Sequence, residues 1–151
     1  MPLSRTRSKF EEDVGMHYYS SDRQALGGRL RQCAGDFTVN EITLEGLEAG
    51  PELKSLDRGQ GGYTLAVLKK VSRDQLSVAS FLSSRLGAQV GFSGIKDRQA
   101  TTYQLVSIAR HLEQADLPSD LHDIELRIVG QSKWPIQPGD LKGNPFTNAK
   151  R

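Results

Sequence analysis

The stretch Tyr63–Val71, YTLAVLKKV, does most to restrict what this chain can fold into. Tyr63, Leu65 and Val67 alternate with more polar neighbours, the period-two pattern of a half-buried strand. Ser72 follows, with Gln75 three positions on, a spacing that reads as a capping box at a helix start. Leu76, Ala79, Leu82, Ser83 and Leu86 then recur at helical spacing, and Gly87 is the expected stop, so a helix is predicted over 73–86. Val90–Ile95 (VGFSGI) reads as a short strand running into a turn. Thr102–Ala109 and Asp123–Val129 read as further strands, and shorter alternations at 29–33 and 36–42 suit strands before Tyr63. The order strand, helix, strand, strand, strand predicts an α+β fold, with a mixed, largely antiparallel sheet and flanking helices.

The intervening segments are punctuated by turn residues. Five glycines and one proline fall within 46–62, so that stretch is predicted as a surface loop. From Lys133 onward, Pro135, Pro138, Pro145, Gly139 and Gly143 predict mostly loop. Residues 1–26 read as a polar N-terminal arm, joined to the rest by Gly27-Gly28, where positive φ is permitted. The 151 residues are enough for one modest domain with a core. No apolar run approaches the roughly 18 residues of a membrane helix. No apolar stretch follows the first residues, so no secretory signal is expected. Cys33 is the single cysteine, which excludes an internal disulfide and a cysteine zinc cluster. A reducing, cytoplasmic location follows as the expectation.

Net charge is only +2. Its distribution says more, because residues 58–110 hold eight Lys and Arg against two Asp and Glu. Such a stretch, folded onto one face, attracts a phosphate backbone; it is equally the composition of a solvated surface. His17, His111 and His122 have no metal-ligand spacing. There is neither a P-loop nor a dinucleotide fingerprint. Chemistry-bearing residues are densest in Gly91–Gln104, GFSGIKDRQATTYQ. There Asp97 lies between Lys96 and Arg98 just after a short strand. A turn at a strand end is a rigid place from which to present a reactive side chain, and neighbouring cations favour an ionised carboxylate. The residues by themselves leave two readings open: a presented carboxylate and an ordinary charged turn.

The run from Gly94 to Gln104, GIKDRQATTYQ, resembles the pattern G-x-K-D-x-x-A-x-T-x-Q of the TruD-type tRNA pseudouridine synthases. Two further segments agree in order. Gly28–Glu41 (GRLRQCAGDFTVNE) resembles the early motif, a basic residue followed by D-F-x-V-x-E. Leu141–Phe146 (LKGNPF) resembles the later L-x-G-N-x-F. The resemblance runs from about residue 10 to the end. It implies that residues 27–151 form an N-terminal, incomplete part of a pseudouridine synthase catalytic domain. It also implies isomerisation of uridine to pseudouridine in tRNA, commonly at position 13 of the D-arm region or in another RNA, without cofactor or metal.

The resemblance makes Asp97 the catalytic carboxylate, acting either on the sugar carbon or on a sugar proton. It places Arg31, where the family usually has lysine, against a phosphate or Asp97, and Lys96 in the same alternatives. Phe146 corresponds to the aromatic that stacks on the target base. Asn144 either holds the base or orients Asp97, and Phe37 either packs near the pocket or touches substrate. Thr102 and Gln104 share one face of the strand after the turn and are expected to buttress the Asp97 loop. The family's full chains continue well past the last motif, so the sheet is expected to have an unpaired edge. A missing C-terminal half or a second chain is implied as partner. The alternative is a catalytically inactive remnant that still binds RNA.

Overall fold

The computed structural model describes residues 3–20, 27–29 and 31–149. Its centre is a six-stranded sheet built from β1 (Phe37–Asn40), β2 (Tyr63–Val71), β3 (Val90–Phe92), β4 (Thr101–Ile108), β5 (Ile124–Ser132) and β6 (Phe146–Asn148). The main path runs β5-β2-β4-β1-β6. Both β1 and β3 pair with β4. β1 lies parallel to its first residues, Thr101–Tyr103, and β3 antiparallel to its last, Val106–Ile108. The other pairings are antiparallel, so the sheet is mixed and largely antiparallel, as expected. Among the described residues two α-helices accompany it, α1 (Lys9–Asp13) and α2 (Gln75–Leu86).

Strand β2 has the bounds that its alternation predicts, but it is buried on both faces rather than one. Ala66 and Leu68 meet Val78, Leu82 and Leu86 of α2, together with Val106, Ile108, Ile124 and Leu126. On the opposite face Leu65, Val67, Leu105 and Val129 meet Leu53, Leu56 and Ile136 from the loops. A strand in the middle of such a sandwich can be apolar at consecutive positions.

The 41–62 connection is therefore a packed cover, though its chain is irregular. Arg127 donates to the carbonyls of Gly50, at 2.7 Å, and Leu53. Arg58 forks onto Glu45 at 2.7 and 3.0 Å. That bidentate hydrogen bond is the main cause holding the Glu45 carboxyl down at about 2, from an ordinary 4.5. A lowered folded-state value means the contribution is present above the unfolded value and lost as pH falls toward 2. The pair is partly exposed, so the loss is expected to be under about 1 kcal/mol. Glu45→Gln should flatten this acid limb of a urea-stability profile.

The same cover explains Gly130. A Cβ there would lie 2.0 Å from the Leu56 carbonyl oxygen and 2.6 Å from Asp57 Oδ1. Residues 56 and 58 run alongside β5, with Leu56 N–H donating to Val129 O at 2.9 Å and Arg58 N–H to Gln131 O at 2.8 Å. Gly130→Ala is expected to cost about 3 kcal/mol by forcing this backbone apart. A thermal melt checks it, and an unchanged midpoint would mean the cover is not seated on β5.

Three local expectations are corrected. Helix α2 begins at Gln75 rather than 73, and the Ser72–Gln75 capping box does not form. Asp74 is the cap, accepting from Ser77 N–H at 2.9 Å, while Ser72 occupies a turn with φ of 53°. Gly87 ends the helix in the left-handed conformation, as predicted. Residues 31–33 are not strand. Asp36 Oδ2 accepts from Gln32 N–H (3.1 Å) and Cys33 N–H (3.2 Å), folding the segment into a 3-10 turn at Ala34–Asp36. Leu30 lies outside the described residues. The C-terminal loop contains a strand, β6, antiparallel to β1 and exposed along its length. Residues 3–20 carry α1 and an Arg5–Tyr18 bridge.

Candidate active site

Asp97 stands on the loop between β3 and β4, on the side of the sheet where β1 and β6 lie. The loop is anchored by a buried ion pair. Lys96 Nζ lies 2.8 Å from Glu41 Oε2, with side chains 3% and 1% exposed. Ser93 Oγ donates to the same Glu41 oxygen at 2.6 Å, and Leu105 N–H donates to the other at 3.3 Å. Glu41 immediately follows β1 and its N–H donates to Tyr103 O, so the carboxylate ties β1, β4 and the loop together. Lys96 also reaches Gly94 O at 3.4 Å. Its charge is thus directed inward, away from solvent.

Asp97 itself projects outward, its side chain 37% exposed. Oδ1 accepts from Gln99 N–H at 2.9 Å, an Asx turn that fixes the carboxylate's orientation. Oδ2 faces Arg31 Nη1 at 3.3 Å. The Arg31 guanidinium carbon lies 3.9 Å from the centroid of the Phe37 ring. Phe37 in turn meets Phe146, with centroids 5.5 Å apart and rings tilted by 56°. Arg31 holds φ at 53°, a conformation unusual for a side chain of its size. The result is a continuous run from carboxylate to guanidinium to buried ring to exposed ring. Phe146 is 67% exposed and Phe37 6%. A carboxylate, a cation and an open aromatic face within one patch can polarise a sugar and stack a base.

Asn144 is exposed on the link leading into β6. Among the described residues its side chain makes no hydrogen bond. Pro145 contributes its carbonyl, which accepts from Asn40 N–H at 3.1 Å, so a proline is tolerated there without the donor it lacks. Thr102 and Gln104 are fully buried on the α2 side of β4. Thr102 lies across from Val39 on β1 and Lys70 on β2, and Gln104 across from Leu68. Among the described residues the Thr102 hydroxyl and both polar atoms of the Gln104 amide have no hydrogen-bond partner.

Three residues of this neighbourhood were not singled out in the sequence: Glu41, Ser93 and Lys70. Glu41 closes the D-F-x-V-x-E run, which marks it without giving it a role. Lys70 is in phase with Ala66 and Leu68, so a charge falling on an apolar strand face is the signal that could have found it. Its Nζ donates to Asp97 O at 2.8 Å.

The patch and sheet define the class as an α+β protein that presents a carboxylate from a clamped loop beside a cation and an exposed aromatic. The profile of tRNA pseudouridine synthase D (TruD) matches residues 13–149. A protein of Natronomonas pharaonis named "Probable tRNA pseudouridine synthase D" is 37% identical over 141 residues, covering 90% of this chain and 31% of its own. One of the same name from Halobacterium salinarum strain R1 is 34% identical over 147 residues, covering 94% and 32%. The crystal structure of the "Putative tRNA pseudouridine synthase D (TruD)" from Methanosarcina mazei superposes with a TM-score of 0.70 at 32% identity, over 92% of this chain and 30% of that one. The chain belongs to the TruD family, and it spans about three tenths of the length of the relatives it matches.

Proposed function

We propose that this chain supplies the Asp97 side of an active site that isomerises uridine to pseudouridine in tRNA. The observation that carries the reading is the Asp97–Arg31 contact at 3.3 Å with exposed Phe146 on the same patch. In the net reaction the bond from N1 to C1′ breaks, the uracil turns, and C5 bonds to C1′. The hydrogen on C5 leaves as a proton and N1 gains one. A uridine within folded RNA must first leave its stack, which costs a few kcal/mol. Stacking on Phe146 offsets this by about 1–3 kcal/mol. Asn144, carrying both donor and acceptor, takes the base edge. Arg31 fixes the Asp97 carboxylate, with Phe37 as the floor beneath the guanidinium. Lys96 reaches the site through the loop it anchors, and Thr102 and Gln104 are part of β4, the strand into which that loop returns.

Retaining a detached uracil requires an enclosed, dry site. The Asp97 carboxylate here is open to solvent, and β6 leaves a sheet edge uncovered. We therefore assign residues 27–151 to the N-terminal part of a catalytic domain. The remainder, as a C-terminal half or a second chain, closes the pocket in the cytoplasm, with residues 1–26 as an arm. Among the described residues no helix is long and apolar enough to cross a membrane.

The target within the proposal is uridine 13 of the D-arm region. Carbodiimide mapping of tRNA transcripts incubated with the chain and its complementing portion tests this. A primer-extension stop at position 13 is expected; a stop elsewhere moves the target. RNA binding with no stop at all would favour the inactive RNA-binding remnant.

A further inference from the structure

We infer that Lys70 is a positioning residue for Asp97, setting the backbone of the catalytic turn from beneath; the inference rests on Asp97 being the catalytic carboxylate. Lys70 is the penultimate residue of β2 and is 0% exposed. It heads the fully buried side chains by volume. Lysines are almost never buried to this degree unless paired with a carboxylate. Among the described residues Lys70 forms no such ion pair. Its ammonium instead donates to the main-chain carbonyl of Asp97 at 2.8 Å.

The location makes this a costly choice for packing alone. Lys70 extends the row Ala66–Leu68 on the face covered by α2, where an aliphatic side chain would continue the core. Burial pushes its ammonium below the ordinary lysine range, with attraction to Asp97 and Asp74 opposing that shift and Lys96 adding to it. A buried cation spent on one backbone carbonyl is explained if that carbonyl has to be held. The carbonyl belongs to the residue whose carboxylate is fixed above by Gln99 N–H and Arg31. Asp97 is thus gripped at both ends, its carbonyl by Lys70 and its carboxylate by Gln99 and Arg31. The end of β2 also holds the far side of the loop, since Ser72 N–H donates to Ala100 O at 3.1 Å. Lys96 anchors the near side to Glu41. The Thr102 hydroxyl lies across the ladder from Lys70, unpartnered and buried, so no neighbouring strand residue relieves the ammonium of this task.

The test combines NMR with turnover on the chain as it exists. In the parent protein the Lys70 ammonium protons should exchange slowly and correlate through the hydrogen bond with the Asp97 carbonyl carbon. Rapid exchange with no correlation overturns the proposal, and this holds even if Lys70 variants do not fold. In Lys70→Met the Gln99 amide should shift and lose protection while amides at the far end of the β2–β5 ladder, Tyr63–Leu65 and Gly130–Ser132, stay unchanged. An unmoved Gln99 amide overturns it. Tritium release from tRNA labelled at uridine C5 should then fall about 100-fold in kcat, as for a reacting group displaced by about 1 Å, with KM little changed. Full kcat in a folded Lys70→Met chain also overturns it. Turnover is measured with the complementing portion supplied; if the parent and Asp97→Asn then release tritium equally, the assignment of Asp97 fails instead, while the two NMR arms still decide whether Lys70 grips the turn.

Discussion

Lys96→Met is expected to cost the fold about 3–5 kcal/mol, because it leaves the Glu41 carboxylate buried with no counter-charge. Glu41 is 1% exposed, and its remaining partners are one hydroxyl and one backbone N–H. Stability of a domain this size is on the order of 5–15 kcal/mol, so the variant would be left marginal or partly unfolded at 25 °C. The double variant Glu41→Gln, Lys96→Met should recover a large part of the loss, since it removes both charges together. Urea unfolding of the four proteins of this cycle measures the coupling. Coupling near zero would mean that the pair is not desolvated, and the clamp on the Asp97 loop would have to be abandoned. Lys96, buried against Glu41, is expected to act on stability through the loop it anchors.

The sheet was legible wherever a period-two pattern ran long enough to outweigh local detail. Tyr63–Val71 and Thr102–Ala109 are such cases, and both lie within one residue of the strands formed. Two of the three misread segments share a cause. At the start of α2, Ser72 and Gln75 have the spacing of a capping box, but the Asp74 carboxylate with Ser77 three residues on is the cap that forms. At 31–33 the alternation is overruled by Asp36, which captures two backbone N–H groups that a strand would offer to a neighbour. Three exposed residues make up β6, and its pairing with β1 is entirely non-local, so no periodicity announces it.

Within the candidate site, the motifs drew attention to Asp97, Arg31, Phe37 and Phe146, which the fold brings into one patch. What the motifs could not give is which charges turn inward. Lys96 and Lys70 both flank the turn, and each is buried with a different partner, Glu41 and the Asp97 carbonyl. Those partners come from distant parts of the chain. The distinction between a cation facing RNA and one holding up a loop exists only once β1, β2 and β4 are assembled.

Whether Asp97 carries the isomerisation is decided by tritium release from tRNA labelled at uridine C5. Asp97→Asn keeps the side chain's size and an oxygen able to accept from Gln99 N–H, so the turn should survive. It removes the charge opposite Arg31 and the ability to attack carbon or take a proton. Release by the parent chain, alone or with its complementing portion, is expected, with a loss of about 10²–10⁴-fold in Asp97→Asn while tRNA stays bound. Equal release from parent and variant would contradict that role for Asp97, and the carboxylate of the reaction would then have to be sought elsewhere.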